Sequence, residues 1–302
     1  MRELRLLLLY LGFVFVGGAL LAPWAWKSVQ ALAGAWSPLE RMAQQPFHRY
    51  VNRCLLVLAL AALWPLLRAL GLHGKTSHGW QGPWRRPIVL GTAGGLASCL
   101  MVVMGPLLVG DASIAVGLSP GLMARRAASA LATAAGVAVM EEWLFRGLIH
   151  GALRRSLSFA QVASITSVLY AVVHFFDRPP QPEAVGVFTG LWTLGRMMHG
   201  LWDVSALMPG LLNLFAVGWM LALARERTGS LALSMGVHGG WVLGIKFLGP
   251  LVDKNTGAAT AMWGTSRVFD GWAPSVVLAV QLLAIHSATQ TPIPPAQQVH
   301  PN

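Results

Sequence analysis

Eight apolar runs do more than any other feature to limit what this chain can fold into. They cover residues 6–22, 51–67, 88–109, 127–149, 159–176, 204–224, 230–248 and 272–285. Crossing a bilayer as a helix takes about 20 mostly apolar residues. Inside lipid, every backbone polar group must be satisfied within the protein, and a helix does this within a single segment. The expected fold class is therefore all-α: a polytopic membrane protein of about eight transmembrane helices. The last run is the shortest. A further apolar stretch at 184–194 suits a re-entrant or interfacial piece, so the count lies between seven and nine.

Composition agrees with a membrane setting. Hydrophobic residues make up 55% of the chain and charged residues 11%, against about 25% charged in soluble domains. The first run follows Arg2 and Arg5, as in a signal peptide. It is longer than the usual apolar region of such peptides, and no Ala-x-Ala site follows, so a retained first helix is expected. Residues 1–286 read as one transmembrane domain with a catalytic core at about 127–248. The tail, 287–302, is polar and carries four prolines; it is expected to be disordered.

The net charge of +11 does not point to nucleic acid. The cations sit at the ends of runs, as in Arg85-Arg86, Arg125-Arg126 and Arg154-Arg155. Such placement serves topology and lipid headgroups. Basic density is higher in the connections on the N-terminal side of the membrane, which favours both termini in the cytoplasm. Cys54 and Cys99 lie in separate runs without a CxxC pattern, and read as small core residues.

Against this background two adjacent glutamates stand out, in Met140-Glu141-Glu142-Trp143-Leu144-Phe145-Arg146. Carboxylates at membrane depth are costly and rarely persist without a partner or a task. Glu142 and Arg146 are four residues apart and can pair along a helix. Glu141 points elsewhere. Two carboxylates and one guanidinium leave a negative charge, so Glu141 lacks a local counter-ion.

Nine histidines are present. His48, His73, His78, His199 and His300 fall in loops or the tail. His150 and His286 close apolar runs and read as interfacial. His174 and His238 lie inside two runs, and either alone would suit a hydrogen-bonded core position. Together with Glu141 they put three ionisable side chains on three helices within the bilayer, with His174 the shallowest. Polar groups in lipid turn inward and find one another, which favours a shared site.

Two chemistries fit such a set. Zinc could be held by Glu141, His174 and His238, like the His2Glu set of metalloproteases, but that would consume the only evident base. No His-Glu-x-x-His occurs. Without a metal, a desolvated Glu141 and a neutral His174 would hold a water. Glu141 would take its proton during attack on a peptide carbonyl, and His238 would donate to the developing oxyanion. No Gly-x-Ser-x-Gly is present, and every aspartate lies in a loop.

These residues resemble three motifs of the CPBP family, the CAAX-protease and bacteriocin-processing intramembrane proteases related to the Ras-converting prenyl endopeptidase. The motifs are Glu141-Glu142-x-x-x-Arg146, Tyr170-x-x-x-His174 and the helix-borne His238. Arg227-Thr-Gly-Ser-Leu231 is similar to the family's lead-in to the third. The resemblance covers roughly residues 127 to 248. It implies an eight-helix fold with a conical cavity open to the membrane, and cleavage of a lipidated or membrane-anchored protein by a glutamate-activated water. By position, Glu141 matches the base and His174 its water-holding partner. His238 matches the oxyanion histidine, and Glu142 and Arg146 match supporting positions. No cofactor is favoured, with zinc the alternative. The expected setting is a multi-pass protein of the bacterial inner membrane, with lipid and an anchored substrate as partners.

The chain departs from the family pattern twice. Tyr170 stands where Phe is usual. Val242 stands one turn past His238, where the family's third motif has Asn. Valine donates no hydrogen bond, and losing one oxyanion donor costs about 100- to 1000-fold in turnover. Asn213 and the Trp241 indole are the candidate substitutes. Two other readings compete with a protease. A proton-coupled transporter would use Glu and His as a relay, though the half-to-half repeats it predicts are not found. A non-catalytic peptide-binding or immunity protein would bind without cutting.

Overall fold

In the computed structural model, which describes residues 2–72, 78–117, 119–202, 204–254, 258–264 and 270–289, helix follows helix along the chain. These are α1 (Arg2–Leu32), α2 (Ser37–Ala43), α3 (Phe47–Leu70), α4 (Arg85–Leu108), α5 (Pro120–Glu142), α6 (His150–Leu153), α7 (Phe159–His174), α8 (Thr189–Met198), α9 (Val204–Thr228), α10 (Ala232–Phe247), α11 (Ala258–Trp263) and α12 (Ala273–Ala288). Trp143–Ile149 joins α5 to α6 as a stretch of π-helix. Strands β1 (Ala112–Ile114) and β2 (Val252–Lys254) form one antiparallel pair, with Ser113 opposite Asp253. The class is all-α, as expected.

Among the described residues, five helices are long and apolar enough to cross a membrane: Arg2–Ala35, Phe47–Leu70, Arg85–Leu108, Pro120–Leu153 and Leu207–Thr228. The runs at 159–176, 230–248 and 272–285 form helices of 16 residues each. At 1.5 Å per residue these reach about 24 Å, short of a hydrocarbon core of about 30 Å. Local sequence sets their ends. Gly229, at φ 65°, breaks the chain ahead of α10, and Arg178-Pro179-Pro180 follows α7. The stretch expected at 184–194 forms α8, which is ten residues long. α12 extends to Ala288, so the first two residues of the expected tail are helical. Residues 290–302, with His300, lie outside the described residues, as does His73.

The chain forms two compact units, Met1–His73 with Val172–Val204, and Gly74–Ala171 with Ser205–Asn302. In the first, α1 packs against α3 and α8. Pro23 inside α1 has no N–H to give to the Ala19 carbonyl. Gly190 of α8 sits against that freed oxygen, where any Cβ would collide. Ala22, Phe47, Tyr50, Val51, Cys54 and Met197 form the core of this unit. Tyr50 Oη donates to the Met42 carbonyl at 2.6 Å and ties α2 to α3. An apolar hollow of about 520 Å³ opens between α1 and α3, beside Tyr10, Phe13 and Pro65.

In the second unit, α10 is held between α4 and α5. Gly91, Gly95 and Cys99 recur every fourth residue on α4, and Gly236, Gly240 and Gly244 do so on α10. The two small-residue stripes meet. A Cβ on Gly240 would lie 2.9 Å from Gly95 Cα, and one on Gly91 would lie 2.7 Å from the Val237 nitrogen. Helices in lipid associate through such close packing, because no hydrophobic drive separates them from acyl chains. The opposite face of α10 turns toward α5, where a Cβ on Gly239 would meet Ala138 Cβ at 3.6 Å. His238 lies on this side.

Candidate active site

The site grows from the junction between α5 and the π-helical stretch. Glu142, the last residue of α5, is fully buried, and so is Arg146. Arg146 Nη1 donates to Glu142 Oε1 at 3.0 Å, as the spacing of four predicts. Its Nη2 donates to the Gly218 carbonyl of α9, also at 3.0 Å. Gly218 can come this close because its bare Cα faces Ser167 of α7, where a Cβ would lie 2.8 Å from Ser167 Cα. π-helical turns are rare and concentrate at functional sites; here the stretch carries the arginine that joins α5 to α9.

The guanidinium lies over the Tyr170 ring, 4.9 Å from its centroid. Phe145 meets the same ring edge-on at 5.5 Å. A cation over an aromatic face is favourable, more so when desolvated. Tyr170 is buried, and its hydroxyl lies 3.5 Å from His238 Nε2.

His238 stands between the two glutamates. Its Nδ1 is 2.9 Å from Glu142 Oε1. An ionised carboxylate only accepts, so Nδ1 carries the proton of this bond. Nε2 then faces Tyr170 and Glu141, whose Oε2 is 3.8 Å away. That is too far for a direct hydrogen bond. Glu141 Oε2 is buried and makes no hydrogen bond, although the side chain as a whole is 22% exposed. One imidazole thus faces both carboxylates.

The second unit thus brings together Glu141, Glu142, Arg146, Tyr170 and His238. His174 closes α7 one turn after Tyr170, is exposed, and belongs to the first unit. Val242 lies one turn past His238, partly buried. Neither expected substitute for the missing asparagine is available. Trp241 Nε1 donates to Ser98 Oγ at 2.8 Å and to Gln281 Oε1 at 3.1 Å. Asn213 Nδ2 donates to the Gly271 carbonyl at 2.8 Å, and its Oδ1 accepts from Ser275 Oγ at 2.7 Å. Both side chains fasten helices to each other.

Among the described residues, no three His, Cys, Asp or Glu side chains are gathered as a metal-ligand set. Glu141 Oε2 and His238 Nε2 lie 3.8 Å apart, and His174 belongs to the other unit.

One polar cluster was not foreseen. His150, expected at the interface, is buried, with Nε2 3.2 Å from Glu226 Oε2. Arg154 donates to the same carboxylate from Nε at 3.1 Å and from Nη2 at 2.8 Å. These bonds hold the guanidinium pKa above the ordinary arginine range. They also clamp α6 to the end of α9. The available signal was weak: His150 and Arg154 are four apart, and Glu226 closes an apolar run between two arginines.

Residues 124–244 match the model of the Rce1-like family, described as type II CAAX prenyl endopeptidases. That segment is similar to the CAAX protease family. It begins in α5 and ends in α10, so it contains every one of the motif residues, from Glu141 to Val242. No curated protein and no solved structure matches the chain. The match supports a peptide hydrolase of the membrane, and the five long apolar helices among the described residues support an integral, multi-pass protein.

Proposed function

We propose that this Rce1-like protein is an intramembrane endopeptidase that uses Glu141 to activate water against lipidated or membrane-anchored proteins. A prenylated C-terminal segment is the first substrate to try, because that is what the matched family's description specifies. The carrying observation is the relation of Glu141 to His238. A buried carboxylate oxygen without a hydrogen bond lies 3.8 Å from an imidazole nitrogen, and Glu142 fixes the orientation of that imidazole.

The steps follow from what each group can give or take. Glu141 accepts a proton from water as the water oxygen bonds to the peptide carbonyl carbon. By the family resemblance alone, His174 is the second holder of that water. The carbonyl oxygen gains negative charge, and His238 donates to it from Nε2 while Nδ1 stays with Glu142. As the tetrahedral intermediate collapses, the C–N bond breaks and Glu141 delivers its proton to the leaving amine. Arg146 is anchored on Glu142 and Gly218, and holds Glu142 in place for His238.

The test is direct. Purified protein in liposomes is given peptides anchored by a prenylated cysteine or by a transmembrane segment, and released fragments are identified by mass. Cleavage at a defined bond supports the proposal. Capture of peptide with no fragment at any site would favour a non-catalytic binding protein instead.

A further inference from the structure

The chain lacks a side-chain donor at Val242, and both candidate replacements are committed elsewhere. We infer that the Tyr170 hydroxyl is the second oxyanion donor of this enzyme, working beside His238. The inference rests on the proposed hydrolysis and adds a catalytic residue to it.

Its basis is positional. Among the described residues, the Tyr170 hydroxyl approaches His238 Nε2 to 3.5 Å and Glu141 Oε2 to 3.8 Å. Glu141 is an acceptor and serves as the base. Tyr170 is the group of the pair that donates, and a phenol does so without having to carry charge. An oxygen that accepts from Nε2–H can also accept from an O–H 3.5 Å from that nitrogen. The ring cannot swing aside, because Arg146 covers one face and Phe145 meets its edge. A donor held in place before the reaction costs nothing to reorganise when charge develops, which is what makes such groups effective. Arg146 above the ring adds positive charge to the same side of the site. Val242, one turn past His238, has only methyl groups to offer. The two departures from the family motifs thus compensate one another: one removes a donor, and the other supplies a hydroxyl where a phenylalanine would supply none.

Tyr170→Phe keeps the ring on Arg146 and Phe145 and removes only the oxygen. On an anchored peptide that the wild type cleaves, we expect kcat to fall about 100- to 1000-fold, with KM changed less than about twofold and the melting temperature close to wild type. Adding Val242→Asn to Tyr170→Phe should recover at least about a tenth of the lost rate, since a second donor is restored from the neighbouring turn. A Tyr170→Phe variant with wild-type kcat would overturn the inference while leaving the hydrolase reading intact. So would a loss of rate that tracks a loss of folded protein and is not recovered by Val242→Asn. A wild-type protein that cleaves none of the anchored peptides would fail the hydrolase reading itself, a separate result.

Discussion

His238 Nδ1 lies 2.9 Å from Glu142 Oε1, so the carboxylate that pairs with Arg146 also orients the imidazole of another helix. Glu142 is fully buried and serves both partners with the same oxygen. Removing it strands a buried guanidinium, and breaking such a pair typically costs about 3–5 kcal/mol. Glu142→Ala and Arg146→Met should each lower unfolding stability in detergent by amounts of this order. The double variant should lose clearly less than their sum, because the second substitution removes a charge already left alone. Strict additivity would show that the pair does not act as one unit.

Trp241 and Asn213 test the opposite kind of role. Each makes hydrogen bonds that join helices, and each such bond contributes about 0.5–1.5 kcal/mol. Trp241→Phe and Asn213→Ala should lower the melting temperature while kcat per folded molecule stays at the wild-type level. A fall in kcat with unchanged stability would return them to the catalytic machinery.

The glycine face of α10 carries His238 to α5. Gly240→Ala would put a methyl against the Thr92 carbonyl and 2.9 Å from Gly95 Cα. Overpacking of this sort costs about 1–3 kcal/mol, and here the relief available is to push α10 away from α4. Both stability and turnover should fall. Gly239→Ala meets Ala138 Cβ at an ordinary 3.6 Å and should be milder in both. Equal effects of the two substitutions would contradict the packing described.

How far the sequence revealed this site depended on whether partners share a helix. Glu142 and Arg146 were legible because a spacing of four places them on one face. The partnership of Glu142 with His238 was not, since nothing in the sequence says which face of α10 meets α5. The glycine stripes at every fourth residue of α4 and α10 carried that information in principle, yet a stripe does not name its partner. Glu226 escaped notice for a related reason: a charge at the end of an apolar run reads as solvated until the fold brings His150 and Arg154 to it. The runs themselves gave the all-α class, while helix ends were set by local breaks such as Gly229 that apolarity alone does not mark.

The reaction written for this site needs no metal. Dialysis against a strong chelator should leave cleavage of an anchored peptide unchanged. Loss of activity restored by zinc would overturn that assignment and make ligands of side chains cast here as base and donors.

The proposed hydrolysis depends on Glu141 as the base. Its most direct test compares single-turnover cleavage of an anchored peptide by wild type, Glu141→Gln and His174→Ala, each confirmed folded by its melting temperature. The glutamine keeps shape and hydrogen bonding but cannot take a proton from water, and general base catalysis is worth about 100- to 10,000-fold. Glu141→Gln should lose activity by a factor of that order with little change in peptide affinity, and His174→Ala should fall with it. Cleavage at the wild-type rate by both variants would contradict the proposed chemistry outright.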